Sequence, residues 1–274
     1  MSKIQIGVFS YIQPDVPETI HRVSALGLTS CQVGSWQPDT WNPATAEALR
    51  SAADSDGVDI SCFWTGWSGP RVWNFVDGPG TVGLVPPAYR ERRTAELIAG
   101  AEFAASLGVP AICTHVGFLP EDPNDPNFIG TIDALKRVVD ACERHGMEFW
   151  FETGQETPTT LLRAIKRLDS DRVGINLDTA NLLLYGKANP LDALEMFGRL
   201  VRGVHVKDGY YPTDPDQLGE QCAIGTGKVD FPAIIERLKG MRFKGALTIE
   251  REISGEQQIA DIREAVDYLR DFCT

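Results

Sequence analysis

Glu152, Asp178, His205 and Glu250 end four successive β-branched or aromatic runs in the second half of this chain, at spacings of 26, 27 and 45 residues. Side chains alternate along a strand, so parity sorts each run into two faces. In Val173-Gly174-Ile175-Asn176-Leu177-Asp178 the aliphatics hold the odd positions, which puts Gly174, Asn176 and Asp178 on the opposite face. The same reasoning turns Glu250 away from Leu247 and Ile249, and pairs Glu152 with Trp150 and His205 with Lys207. His115 ends an earlier run, Ile112-Cys113-Thr114-His115, with the same inward parity. Adjacent parallel strands lie ~4.8 Å apart, so four such ends converge. Three carboxylates in one mouth repel one another unless a cation sits among them. Three oxygens and one imidazole suit a divalent ion of the Mn²⁺, Mg²⁺ or Co²⁺ type better than a thiol-rich zinc site. A single acid at a strand end is usually a cap or an ion-pair partner. Four inward polar ends on consecutive strands have no such plain structural account.

The elements that must position these residues read as strands near 4–10, 30–34, 59–64, 111–117, 148–153, 173–178, 201–207 and 246–251. Helical patterns lie near 16–26, 43–54, 90–107, 128–145, 158–168, 190–199, 230–239 and 256–271. Eight βα units in 274 residues predict a single (β/α)₈ TIM barrel over 1–274. An open doubly wound sheet is the runner-up, and it lacks a GxGxxG after the first strand. Asp230-Phe231-Pro232, Thr157-Pro158 and Asn189-Pro190 read as helix starts, and Gly27, Gly108 and Gly146 as stops. The irregular stretches 65–89, 118–127 and 208–229 would all follow strand C-terminal ends, where a barrel builds its active site.

Composition excludes several classes. The 26 Lys and Arg against 38 Asp and Glu give a net charge of −12, which argues against nucleic acid and anionic membranes as partners. Only four histidines are present, His21, His115, His145 and His205, so a metal site must lean on carboxylates. No apolar run approaches the ~20 residues of a membrane span. The first residues, Met1-Ser2-Lys3-Ile4-Gln5, show no apolar signal-peptide region, and none of the six cysteines has CxxC spacing. A cytoplasmic protein with reduced thiols is expected.

Around the four ends lie weaker candidates for substrate contact. His115 has the parity to meet a hydroxyl, or to be a core histidine. Lys207 would stabilise developing negative charge, or simply neutralise Asp178. Gln155 and Glu156 would grip hydroxyls, or cap the helix at Pro158. Trp36, Trp64, Trp67 and Trp73 follow the second and third strands and suit the C–H faces of a sugar, though Trp is equally a core residue. Arg251 should point away from the lumen by parity. Gly225-Thr226-Gly227-Lys228 would seat a phosphate at a helix start, on the weak authority of one Gly-x-Gly.

Five stretches resemble the sugar phosphate isomerase/epimerase group of xylose isomerase-like barrels. They are Phe151-Glu152-Thr153-Gly154-Gln155-Glu156-Thr157-Pro158, Asn176-Leu177-Asp178-Thr179-Ala180-Asn181-Leu182, Val204-His205-Val206-Lys207-Asp208, Gly225-Thr226-Gly227-Lys228-Val229-Asp230-Phe231 and Thr248-Ile249-Glu250-Arg251-Glu252. Thr114-His115-Val116-Gly117-Phe118 adds a weaker match in the first half. The resemblance implies one divalent metal on Glu152, Asp178, His205 and Glu250, with Glu152 and Glu250 as the acid/base pair. Mn²⁺ is preferred, with Mg²⁺, Co²⁺ and Zn²⁺ as alternatives. It also implies a small carbohydrate substrate and a homo-oligomer, dimer or tetramer. Asn181 stands where ketose 3-epimerases often carry a substrate-contacting His, which argues against a simple ketose epimerase. The group also includes apurinic-site endonucleases, whose His-rich three-zinc cluster this chain cannot supply.

The expected activity is isomerisation or epimerisation of a sugar, keto-sugar or related polyol through a metal-bound enediolate. The alternative is a dehydratase, a carbon–oxygen lyase, acting on a keto-inositol or keto-sugar at the same site. A barrel that merely binds metal or sugar is disfavoured by the four intact ligand positions.

Overall fold

The β-branched and aromatic runs form parallel strands that close on themselves. The computed structural model describes residues 4–273. Its strands are β1 (Gln5–Tyr11), β2 (Ser30–Ser35), β3 (Asp59–Thr65), β4 (Ala111–Thr114), β5 (Glu148–Glu152), β6 (Val173–Asp178), β7 (Val201–Val206), β8 (Asp208–Gly209), β9 (Gln221–Cys222) and β10 (Ala246–Ile249). β8 and β9 make a small antiparallel hairpin outside the barrel. The other eight close in the order β1-β10-β7-β6-β5-β4-β3-β2, every pair parallel, with helices between them. This is a single (β/α)₈ TIM barrel, as the eight-unit periodicity predicts. Among the described residues no helix is long and apolar enough to cross a membrane.

Parity along the strands separates two cores. Cys62, Trp64, Ala111, Cys113 and Trp150 fill the lumen as one cluster. Phe63, Ile112, Phe149, Phe151, Ile175 and Leu177 take the alternate positions and join the larger core that includes helix residues.

Local signals set the element ends. Asp230 accepts from the N–H of Ala233, Thr157 from that of Thr160 and Asn189 from that of Leu191, so all three expected N-caps form. Gly108 ends the helix Pro87–Leu107 at φ 83, a left-handed turn that glycine adopts without strain. The fourth run is shorter than expected and stops at Thr114, because the chain turns away through Gly117 at φ 103. The last stops at Ile249, although the N–H of Glu250 still donates to the carbonyl of Val206 at 3.1 Å.

The long loop after β3 has an internal post. Arg93, fully buried on the helix Pro87–Leu107, donates to the carbonyls of Thr81 (2.8 Å), Gly83 (2.7 Å), Pro70 (2.7 Å) and Ser68 (3.3 Å). Its guanidinium lies over Tyr89 at 4.7 Å and Trp67 at 5.3 Å. Burial lowers its pKa to about 10, which leaves it charged at neutral pH. Charge-assisted hydrogen bonds are each worth about 1.5–3 kcal/mol. Arg93→Met is expected to cost about 3 kcal/mol or more in urea denaturation. It should also speed proteolysis within 66–86, and a variant as stable and as protected as the parent would refute this role.

Candidate metal centre

The ends of β5, β6, β7 and β10 bring four side chains together. One ligand atom from each of Glu152, Asp178, His205 and Glu250 lies within 4.8 Å of the others, and all four residues are buried. His205 Nδ1 sits 3.0 Å from Glu152 Oε1, 3.2 Å from Glu250 Oε2 and 4.0 Å from Asp178 Oδ2. Asp178 is level with His205 in the β6–β7 register, and Thr248 faces His205 from β10, so Glu250 stands one pleat further out.

Each member is oriented from behind. Asp178 Oδ1 accepts from the N–H groups of Ala180 (2.9 Å) and Asn181 (2.7 Å), while its buried Oδ2 has no hydrogen-bond partner among the described residues. Glu152 Oε2 accepts from Trp64 Nε1 and lies 3.5 Å from His115 Nε2. His205 Nε2 lies 2.8 Å from Gln32 Oε1, and Gln32 Nε2 donates to Asn176 Oδ1 at 2.9 Å. An amide oxygen only accepts, so His205 Nε2 carries a proton and Nδ1 is the nitrogen turned to the carboxylates. An unpartnered carboxylate oxygen, two further carboxylates and a pre-oriented imidazole nitrogen form a donor set that fits a divalent cation.

The electrostatics agree. Burial alone would lower the pKa of His205, yet the Glu250 and Glu152 carboxylates hold it well above its ordinary value. Lys207 behaves likewise, its burial outweighed by Glu250, Glu252 and Asp178. Burial pushes Asp178 well up, Lys207 opposing it. Three carboxylates in this space thus draw every available positive charge towards them.

The substrate-contact candidates fall around the same point. Lys207 Nζ is 3.4 Å from Glu250, 3.7 Å from Asp178 and 2.7 Å from Glu252, so it serves more than Asp178 alone. His115 lies against Trp64 and Trp73, and Gln155 Nε2 donates to its Nδ1 at 3.3 Å. Trp36 packs edge-on against Trp64, Trp67 and Trp73 in a wall on this side of the mouth. Gln155 and Glu156 do not cap the following helix, a task Thr157 performs, and each keeps a buried oxygen without a partner. Asn181 is buried, with its backbone tied to Asp178. Arg251 points outward to Asp261, as parity predicts.

The phosphate seat at Gly225–Lys228 is a correction. Asp208 already fills it: its carboxylate accepts from the N–H groups of Gly209 (2.8 Å), Gly225 (3.0 Å), Gly227 (2.8 Å) and Val229 (3.1 Å). Gly is needed at 227 because a Cβ there would lie 2.2 Å from Asp208 Oδ1. Sequence reasoning also missed Gln32 and Glu252. An amide of inward parity in Ser30-Cys31-Gln32-Val33-Gly34-Ser35 was the available sign of the former. Nothing local marked Glu252.

The profile of the family described as xylose isomerase-like TIM barrel matches residues 20–272. The chain belongs to that family. It is similar to a xylose isomerase domain protein from Planctomyces limnophilus, at 32% identity over 99% of this chain and 98% of the other, with a TM-score of 0.92. An uncharacterised protein of Methanocaldococcus jannaschii is 28% identical over 202 residues, 67% of this chain and 63% of that relative's own length. The family fold is shared with a 3-keto-D-glucoside 4-epimerase from E. coli, at 18% identity over 98% of this chain and all of the other (TM-score 0.71). It is shared too with a Mycobacterium smegmatis family member in complex with magnesium, at 17% identity over the whole of both chains (TM-score 0.71).

Two outcomes are expected. Gln32→Leu removes the acceptor that fixes the His205 tautomer and should weaken divalent-metal binding about 10–100-fold by calorimetric titration; unchanged affinity would refute that role. Burial raises the Glu156 carboxyl from 4.5 to about 8. Between those values the folded protein holds a proton that the unfolded chain releases, so this group's contribution is complete below pH 4.5 and lost as pH rises towards 8. Glu156→Gln should therefore gain stability over the parent by on the order of 1 kcal/mol per pH unit across that window in urea melts. Parallel profiles for the two proteins would contradict it.

Proposed function

We propose that this family member is a divalent-metal-dependent isomerase or epimerase of a sugar, keto-sugar or related polyol. The observation that carries the reading is Asp178 Oδ2, which has no hydrogen bond among the described residues, converging with Glu152, Glu250 and His205 Nδ1 within 4.8 Å. A sugar epimerase and a magnesium complex among proteins of the same fold support it. In the proposed site Glu152, Asp178, His205 and Glu250 hold one metal ion, with Mn²⁺ preferred and Mg²⁺, Co²⁺ and Zn²⁺ as alternatives. When bound, such an ion would supply Lewis acidity for a carbonyl and so make the adjoining C–H more acidic.

The chain's own residues do the rest. Glu152 ends β5 and Glu250 follows β10, with β6 and β7 between those strands. Each can reach one side of a substrate lying between them. One takes the proton from the carbon beside the carbonyl and keeps it, while the other, charged with a proton from solvent, delivers that proton to the opposite face for epimerisation or to the neighbouring carbon for isomerisation. Trp64 and His115 hold Glu152, and Lys207 holds Glu250. The Lys207 ammonium also offsets the negative charge that develops on the substrate oxygens. Burial lowers the pKa of His115, so it is neutral and hydrogen-bonds a hydroxyl. Gln155, Glu156 and Asn181 supply further polar contacts, and the tryptophan wall covers the C–H face and keeps water out.

The second reading is dehydration of a keto-inositol or keto-sugar. It is favoured by the Lys207 ammonium, 3.4 Å from Glu250, which can hydrogen-bond a departing hydroxyl and offset its charge.

Protein purified without chelator is expected to carry about one divalent ion per chain by elemental analysis. Glu152→Gln and Glu250→Gln should each lower turnover about 10²–10⁴-fold on a panel of ketoses and keto-inositols. In D₂O the parent should place deuterium on the carbon beside the carbonyl, while a lyase product loses the mass of water. Metal-free active protein, or full activity in both variants, would refute the mechanism.

A further inference from the structure

The end of the barrel opposite the metal centre carries a groove of about 960 Å³. Its walls are the end of the helix Pro190–Phe197, the start of β7, the end of the helix Phe231–Gly240 and the turn 241–245. Arg199, Arg202, Arg237, Arg242 and Lys244 line it, against the single carboxylate of Glu195. That is a concentrated positive surface on a chain of net charge −12.

Two of the five cations are matched, Arg237 by Glu195 at 2.5 Å and Arg202 by Glu148 at 3.1 Å. Arg199, Arg242 and Lys244 have no carboxylate within ion-pair distance among the described residues. Helix C-termini attract cations, which is the plainest account of such a cluster. It falls short here. The last carbonyls of the helix Phe231–Gly240 are taken by the backbone N–H groups of Met241, Arg242 and Phe243, at 3.0 Å each. The two helix ends together supply about one unit of negative charge, against three unmatched cations. Arg242 has φ 59, a left-handed conformation where glycine is the usual residue, so the chain keeps a long cation where its backbone favours none.

Guanidinium forks match the oxygens of phosphate, and several linked phosphates would span several cations. Beside the charges, Met196 and Met241 form an apolar ledge, Met196 being 49% exposed. The volume lies in the range of small-molecule sites. We propose that this groove binds an oligophosphate-bearing small molecule, its phosphates on Arg199, Arg242 and Lys244 and any attached ring on the methionine ledge. The site is separate from the metal centre and does not depend on the reaction carried out there.

The test is titration of the full chain, without added divalent cation, by tripolyphosphate, ADP, ATP and orthophosphate. Saturable binding of tripolyphosphate or a nucleotide well below 1 mM is expected, at least tenfold tighter than orthophosphate and weakening steeply with salt. ATP binding tighter than tripolyphosphate assigns the ligand to the nucleotides, and equal binding to inorganic oligophosphate; both support the site. Arg242→Gly should keep or raise the melting temperature, since it relieves the left-handed backbone, while weakening binding at least tenfold. Arg199→Gln with Lys244→Gln should abolish it. No saturation by 1 mM, or binding that all three substitutions leave unchanged, overturns the proposal.

Discussion

Three buried carboxylates converge in the mouth of this barrel, and their mutual repulsion sets the terms for what surrounds them. Like charges about 4 Å apart in a protein interior repel by several kcal/mol. The fold answers with every cation in reach. The carboxylates hold the pKa of His205 above its ordinary value against its burial, Lys207 is drawn in among Glu250, Glu252 and Asp178, and Trp64 donates to Glu152. Even so, Asp178 Oδ2 has no hydrogen-bond partner among the described residues. A buried carboxyl oxygen without a hydrogen bond costs folding energy. The four side chains together could hold a cation at that cost.

The rest of the C-terminal face keeps that crowding in place. The hairpin loop after β7 wraps around the Asp208 carboxylate, which occupies its amide nest internally. Gln221, on that hairpin, donates to the carbonyl of Glu250 (3.2 Å) and accepts from Arg251 (3.0 Å) and from the N–H of Glu252 (3.1 Å). One glutamine thus sets the backbone of both Glu250 and the residue that holds Lys207. Across the mouth the N–H of Phe75 donates to the carbonyl of Asp216 at 3.1 Å, joining the loops that follow β3 and β7. Arg93 anchors the first of these loops from beneath. The loops that follow β3 and β7 are thus tied to each other and, through Gln221, to the residues that follow β10.

The barrel was legible in the sequence because its signals are local. Alternation within six residues oriented Asp178, and Asp-Phe-Pro marked a helix start at Asp230 that forms with its cap. The strand ends were less legible. The run 111–117 continues its apolar pattern past the point where the strand stops, since Gly117 turns the chain there. The Gly-Thr-Gly-Lys stretch looked like an anion seat and is one, but the anion is Asp208, 17 residues upstream of Gly225. Pattern alone showed the amides without showing what they would bind.

By itself the sequence determined the number of βα units and the identity of the four inward ends, because side-chain alternation needs no partner to be read. Only the tertiary structure decided which atoms of those ends meet. Gln32 lies 173 residues from His205 in the chain and sets which of its nitrogens faces the carboxylates. Lys207 meets Glu252 at 2.7 Å, though one directly follows β7 and the other lies in the loop after β10. Contacts across a barrel lumen depend on strand order, closure and register together, and none of these is encoded within a single local segment.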